Sequence, residues 1–132
     1  MRIALGLGCD RGTSQATLEE AVAQALAHCG ASWQDVAAVA SITLKADEAG
    51  LLALAAAQGW RLRFYAPQEL AGVAVPHPSE TVRRYTGTPS VSEAAALLAS
   101  KAQTGTLLVE KHKHLGTDGR NATVSIARMS DD

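Results

Sequence analysis

The apolar positions of this chain change period along its length, and the changes mark alternating strands and helices. Residues 2–7 (RIALGL) form an apolar run that reads as a strand. Gly8-Cys9-Asp10-Arg11-Gly12 then reads as a tight turn, with Thr13 and Ser14 as helix caps. Beyond them Leu18, Val22, Ala25, Leu26 and Cys29 recur at helical spacing, and Gly30 suits a C-terminal cap. Ser32 can cap a short turn over 33–36, and the β-branched run 39–43 (VASIT) predicts a second strand. Asp47 is expected to cap a helix carrying Leu51, Leu52, Leu54 and Ala55, which Gly59 ends. Residues 61–65 (RLRFY) alternate basic with apolar, as a half-buried third strand would.

The second half reads less regularly. Residues 67–70 suit one helical turn, and 71–79, with Pro76 and Pro78, suit a loop. Ser79 starts a short helix through 82–85, which Gly87-Thr88-Pro89 breaks. Ser90-Val91-Ser92-Glu93 has capping-box spacing, so Ser90 and Glu93 are expected to satisfy each other's backbone amides ahead of a helix over 94–99. Gly105 precedes a fourth strand at 106–110, and 122–127 (ATVSIA) makes a fifth. Strands alternating with helices imply an α/β fold: one three-layer domain over 1–132 with a mainly parallel or mixed five-stranded sheet. Only about ten helix-free residues separate the last two strands, so the C-terminal strand is expected to pair antiparallel.

Composition narrows the function. The chain has 132 residues, enough for a core without covalent staples. Its rings are few (Trp33, Trp60, Phe64, Tyr65 and Tyr85), which disfavours base stacking on single-stranded nucleic acid. A net charge of −1 supplies no global basic field, so no nucleic-acid partner is expected. No apolar run approaches the ~18 residues of a membrane span, so no membrane partner is expected either. Two cysteines without metal-ligand spacing and an N-terminus that goes straight into a strand suggest reduced thiols and a cytoplasmic protein.

Charge is uneven locally. Residues 47–80 carry more acids than bases, whereas Lys111, Lys113 and Arg120 face only Asp118, with His112 and His114 beside them. The strand–turn–helix opening directs backbone amides and a helix dipole towards the carboxyl edge of the sheet, where Arg11 adds a planar cation. An anion carrying carboxylates or phosphates is expected there, against Gly8, Cys9, Arg11, Gly12 and Thr13. The simpler reading is an ordinary structural turn. A nucleotide loop is disfavoured, because the Walker lysine and the three-glycine spacing are missing.

Lys45, Asp47 and Glu48 form a second candidate group at a strand end. Asp47 as a cap and Glu48 complementing the dipole explain the acids, while Lys45 remains free to pair with a ligand carboxylate or with Asp47. Ser90 stands at a third strand-to-helix junction. Lys111, His112 and Lys113 are read as a basic loop, either anion-binding or merely solvated, since ammonium groups beside the histidines oppose a metal ion. No metal site and no cofactor are expected. Cys9 lacks a histidine base nearby in sequence and is read as a packing residue.

These segments together resemble a known family. GLGCDRGT (6–13), ASITLKADEAGL (40–51), Phe64 followed by Leu70, Pro78-Ser79 with Val82, GTPSVSEAAALLAS (87–100), Lys111 with Lys113, and ATVSIAR (122–128) are similar, in this order, to the cobalamin-biosynthesis CobE/CbiG C-terminal domain family. The resemblance spans essentially the whole chain. It implies a role in vitamin B12 synthesis, with a precorrin or related corrinoid intermediate as ligand and other enzymes of that pathway as partners.

Two functions are compatible with it. The first is an accessory or carrier protein that binds a corrin-precursor tetrapyrrole, whose many carboxylates suit dispersed donors such as Arg11, Lys45, Lys111 and Lys113. The second is a hydrolase acting on a precorrin lactone or side chain, as full-length members resemble. Its base would come from Lys45, Asp47, Glu48 or a histidine of the basic segment.

Overall fold

Alternation along the first strand sets the layering. In Ile3–Cys9, Ile3, Leu5 and Leu7 face one side of a sheet, and Ala4 and Gly6 face the other. The computed structural model describes residues 1–86, 90–101 and 107–129. Its sheet comprises β1 (Ile3–Cys9), β2 (Val36–Ile42), β3 (Leu62–Tyr65), β4 (Leu107–Leu115) and β5 (Asn121–Arg128), in the order β3-β2-β1-β5-β4. β1, β2 and β3 run parallel, while β5 is antiparallel to both β1 and β4. The mixed α/β fold with antiparallel C-terminal pairing is thus as expected.

The aliphatic side packs against α1 (Gln15–His28) and α2 (Ala49–Gln58), through Leu18, Val22, Leu26, Leu51 and Leu54. Each fully buried leucine stabilises this core by about 1.5–3 kcal/mol. The small-residue side packs against α3 (Pro67–Ala71) and α5 (Val91–Ser100), through Leu70, Ala94, Ala95 and Ala99. α4 (Glu80–Thr86) lies between these two helices in sequence, and Ser79 Oγ accepts from the Val82 amide at its start. Among the described residues no helix is long and apolar enough to cross a membrane.

Several boundaries differ from those expected, each for a physical reason. β1 includes Gly8 and Cys9, because both pair with β5, opposite Thr123 and Ala122. The turn is therefore only Asp10–Gly12 long. Ser14 alone caps α1, accepting from the Thr17 amide, while the Thr13 hydroxyl donates to the Asp10 carbonyl. Glu48, not Asp47, occupies the cap position of α2. β4 extends to Leu115, so the expected basic loop is strand. Register shifts at Val109 bend that strand without ending it. The expected break at Gly87-Thr88-Pro89 and the strand start at Gly105-Thr106 lie outside the described residues.

α5 approaches β1 as closely as backbone permits. A Cβ on Gly6 would overlap the Ser92 carbonyl and the Ala96 amide, both fixed main-chain groups. Gly6→Ala should therefore force α5 off the sheet and lower stability by about 3 kcal/mol. Equilibrium urea unfolding measures this, and a midpoint equal to wild type would contradict the close approach.

Candidate functional site

The turn after β1 does bind an anion, but the anion is the protein's own. The Gly12 amide donates to Glu48 Oε1 at 2.9 Å, and the Ser14 amide donates to Asp118 Oδ2 at 2.9 Å. Arg11 donates to Asp47 Oδ1 at 2.7 Å, to Glu48 Oε2 at 2.6 Å and to the Leu44 carbonyl. The expectation of a ligand at the start of α1 is corrected accordingly: its first donors already have acceptors. Asp47 is bonded by Arg11, and Lys45 acts on it only through longer-range charge. Hydrogen bonding to Asp47 and Glu48 raises the Arg11 pKa, and the same guanidinium lowers that of Asp47. Amide donation from Ser14 and Arg120 holds the Asp118 carboxyl down at about 2.

Beside this knot a cleft of about 380 Å³ opens at the carboxyl end of β1. Gly8, Cys9, Asp10 and Arg11 line it from β1 and its turn, and Lys45 from the end of β2. α4 adds Thr81 and Val82, the start of α5 adds Ser90 to Ser92, and the C-terminal hairpin adds Lys111, Lys113, Asn121 and Thr123. Alternation in β4 explains which residues arrive. Lys111 and Lys113 face the cleft, whereas His112 Nε2 meets Gln24 Oε1 and His114 Nε2 meets Glu20 Oε1 on α1. His112 is thus removed from the candidate site. Burial and the neighbouring His28 ring, 5.0 Å away, lower its pKa.

The donors of the cleft are largely unspent. Lys111 Nζ donates to the His77 carbonyl at 3.1 Å. Among the described residues the ammonium groups of Lys45 and Lys113 have no hydrogen-bond or ion-pair partner. Ser90 is 1 % exposed, and among the described residues its hydroxyl has no hydrogen-bond partner. The expected capping box does not form, because Glu93 points away and accepts from the His77 amide at 3.2 Å, leaving its Oε2 unpartnered. The first amides of α5 and the Ser90 hydroxyl therefore remain at the cleft wall without an acceptor among the described residues.

Nucleophilic chemistry finds little support here. Burial raises the Cys9 pKa, and nearby Lys45 only partly opposes this, so the group stays a thiol. Both cysteines are free, and among the described residues no group of histidine, cysteine and acidic side chains could hold a metal ion. Of the predicted residues, the cleft collects Gly8, Cys9, Arg11, Lys45, Ser90, Lys111 and Lys113. Gly12, Thr13, Asp47 and Glu48 lie in or beside the supporting knot instead. Asp10, Asn121 and Thr123 were missed. The antiparallel pairing of β1 with β5 is the signal that would have found them, since it sets Thr123 opposite Gly8.

Two tests address the knot. Glu48→Ala removes the buried carboxylate that accepts from the Gly12 amide and from Arg11 and should cost about 1–3 kcal/mol in urea unfolding; an unchanged midpoint would show these bonds to be dispensable. Asp118 titrates below its ordinary 3.8, so its contribution is complete above that value and is lost as pH falls towards about 2. Melting temperatures across about pH 2 to 5 should fall less steeply for Asp118→Asn than for wild type. Parallel slopes would contradict the assignment.

Comparison with known proteins places this arrangement in a pathway. The family model described as "Cobalamin synthesis G C-terminus" matches residues 3–127. A cobalt-precorrin-5A hydrolase of Priestia megaterium is 42% identical over 125 residues, covering 95% of this chain but 32% of that protein. The chain thus spans about a third of the length of that relative. Protein CobE of Sinorhizobium sp. is 35% identical over 111 residues, covering 83% of this chain and 71% of that protein. The crystal structure of CobE, a protein from the cobalamin (vitamin B12) biosynthetic pathway, superposes with a TM-score of 0.83 at 34% identity, covering 98% of this chain and 91% of that one. With the model matched from β1 to β5 and the same fold in CobE, the chain belongs to the CobE/CbiG C-terminal family of cobalamin-biosynthesis proteins.

Proposed function

We propose that the cleft binds a corrin-precursor tetrapyrrole by its side-chain carboxylates, and that the protein carries this intermediate between enzymes of the cobalamin pathway. The observation that supports the reading is the set of unspent donors around one opening: among the described residues, Lys45 and Lys113 have no hydrogen-bond or ion-pair partner, and a buried Ser90 hydroxyl has no acceptor at the start of α5. A buried hydroxyl left unmet is costly, and an incoming carboxylate would satisfy it. Lys111 adds a further ammonium beside it. The cleft holds one edge of a flat macrocycle with its acid groups rather than the whole ring. Free Cys9 and Cys29 fit a cytoplasmic setting.

A hydrolase would need a base in the cleft. Asp47 and Glu48 are tied to Arg11, and His112 and His114 lie against α1. The side chain of Asp10 faces the opening, but its Oδ2 accepts from Asn121 twice. The carrier reading therefore fits these side chains better than lactone hydrolysis.

Binding of precorrin intermediates, followed by absorption spectra and ligand mass, tests the proposal. Affinity should fall with ionic strength, because the contacts are between charges. Lys45→Ala and Lys111→Ala should each cost about 1–3 kcal/mol of binding, and Ser90→Ala about 1 kcal/mol. Salt-independent binding untouched by all three changes would refute the cleft as the site, and a loss of ligand mass would replace the carrier with an enzyme.

A further inference from the structure

The Glu93 carboxylate stands between two possible bonds, and one of them is made. Glu93 is fully buried in the first turn of α5. Its Oε1 accepts from the His77 amide at 3.2 Å, and its Oε2 has no partner among the described residues. Its place, three residues after Ser90, is the one from which a glutamate reaches back to the cap amide in a capping box. Ser90 has the extended backbone that such a cap requires, with φ −158° and ψ 111°. Passing from one bond to the other needs rotation of the Glu93 side chain alone, because cap and glutamate belong to the same helical turn. Either arrangement gives the carboxylate an amide donor, so whatever fixes the donors decides between them.

His77 is firmly held as a donor. Its carbonyl accepts from Lys111 Nζ at 3.1 Å and its ring Nε2 lies 3.1 Å from Glu110 Oε1, so β4 grips both its main chain and its ring. Pro76 and Pro78 flank it and have no N–H, which leaves the His77 amide as the one main-chain donor across 76–78. Val73 and Val75 pack partly against the small-residue core, but no residue from Ala71 to Arg84 is buried. A plain loop anchor accounts for the grip on His77. It does not account for the use of a glutamate whose alternative partner lines the cleft. Ser90 lines the cleft, and its hydroxyl has no partner among the described residues. Turned towards Ser90, Glu93 would set a negative charge on the donors that an incoming carboxylate needs.

We propose that Glu93 is a two-position switch for the start of α5, and that His77 is the positioning residue that holds it open. The inference rests on the reading of the cleft as a carboxylate site. While the His77 amide engages Glu93, the Ser90 amide and hydroxyl stay available to a ligand. When that tie is lost, Glu93 closes the capping box, and its charge repels the ligand from the same donors. The loop between α3 and α4 thereby governs an anion site on a different element, through one side chain with two exclusive bonds.

Amide hydrogen exchange of the whole chain, followed residue by residue by nuclear magnetic resonance, tests the switch without any ligand. His77→Pro removes the amide hydrogen that Glu93 accepts and leaves every cleft side chain in place. Exchange at the Ser90 amide should slow about tenfold in H77P and return to the wild-type rate in H77P/E93A. If H77P lacks a wild-type melting curve, H77G carries the test, since it removes the ring tie and loosens the backbone. Ser90 exchange should slow in H77G as well. An unchanged Ser90 rate, or slowing that persists without Glu93, overturns the proposal. Binding is read with uroporphyrin, a stable polycarboxylate tetrapyrrole, whose affinity should fall about tenfold in H77P and recover in H77P/E93A. A loss that Glu93→Ala does not recover would make His77 a structural anchor and also overturns the proposal. Failure of the wild type to bind uroporphyrin counts against the cleft reading instead, and the exchange rates still decide whether Glu93 has two positions.

Discussion

The Glu48 carboxylate accepts from the Gly12 amide with one oxygen and from the Arg11 guanidinium with the other, at a position 4 % exposed to solvent. Through these bonds the start of α2 is fastened to the turn that leaves β1. Gly50 makes the approach possible, since a Cβ there would overlap the Thr13 carbonyl. The consequence reaches the cleft. Arg11 cannot swing freely towards solvent, Lys45 is fixed just ahead of the fastened helix, and Cys9 is held at the last position of β1. The pair is most sensitive to loss of Arg11, because the Glu48 carboxylate is then left in a place that water reaches poorly, whereas the guanidinium itself is exposed.

That fastening also decides which helix can serve a ligand. α1 and α5 both present their N-termini near the carboxyl edge of β1, and each has the dipole and free amides that suit an anion. α1 is satisfied internally by Glu48, Asp118 and the Ser14 hydroxyl. α5 is preceded by Ser90, whose hydroxyl has no partner among the described residues, and Glu93 accepts from the His77 amide instead of closing a capping box. Among the described residues, the unmet donors expected at the first helix are thus found at the last.

Much of the fold was legible because the relevant signals are local. The aliphatic residues of β1, the helical spacing from Leu18 to Cys29, and the short connection between the last two strands each depend on near neighbours, and each appears as expected. What escaped depends on residues far apart in sequence. Nothing near Arg11 reveals that two acids more than thirty positions away will neutralise it, and Ser90 with Glu93 has perfect spacing for a box that tertiary contacts override. The misread basic segment is different, since its signal was present. Lys111-His112-Lys113-His114 alternates with period two, which is strand geometry, and charge drew the reading towards a loop.

That alternation gives β4 two chemistries at once. Its lysines point to the cleft, where ammonium groups suit carboxylates, and its histidines point to α1, where Gln24 and Glu20 receive them. A loop would have mixed the two sets, and flanking ammonium groups would then have stood beside the imidazoles. Separation by the pleat removes the conflict: the imidazoles hold an edge strand to a helix while the lysines remain available on the other face. The net charge of −1 hides this organisation. Acids are spent within the knot and along α1, while Lys45, Lys111 and Lys113 stand around the cleft. On the proposed reading, selectivity for an anionic ligand would come from where the protein's own carboxylates have been committed, rather than from an excess of basic residues.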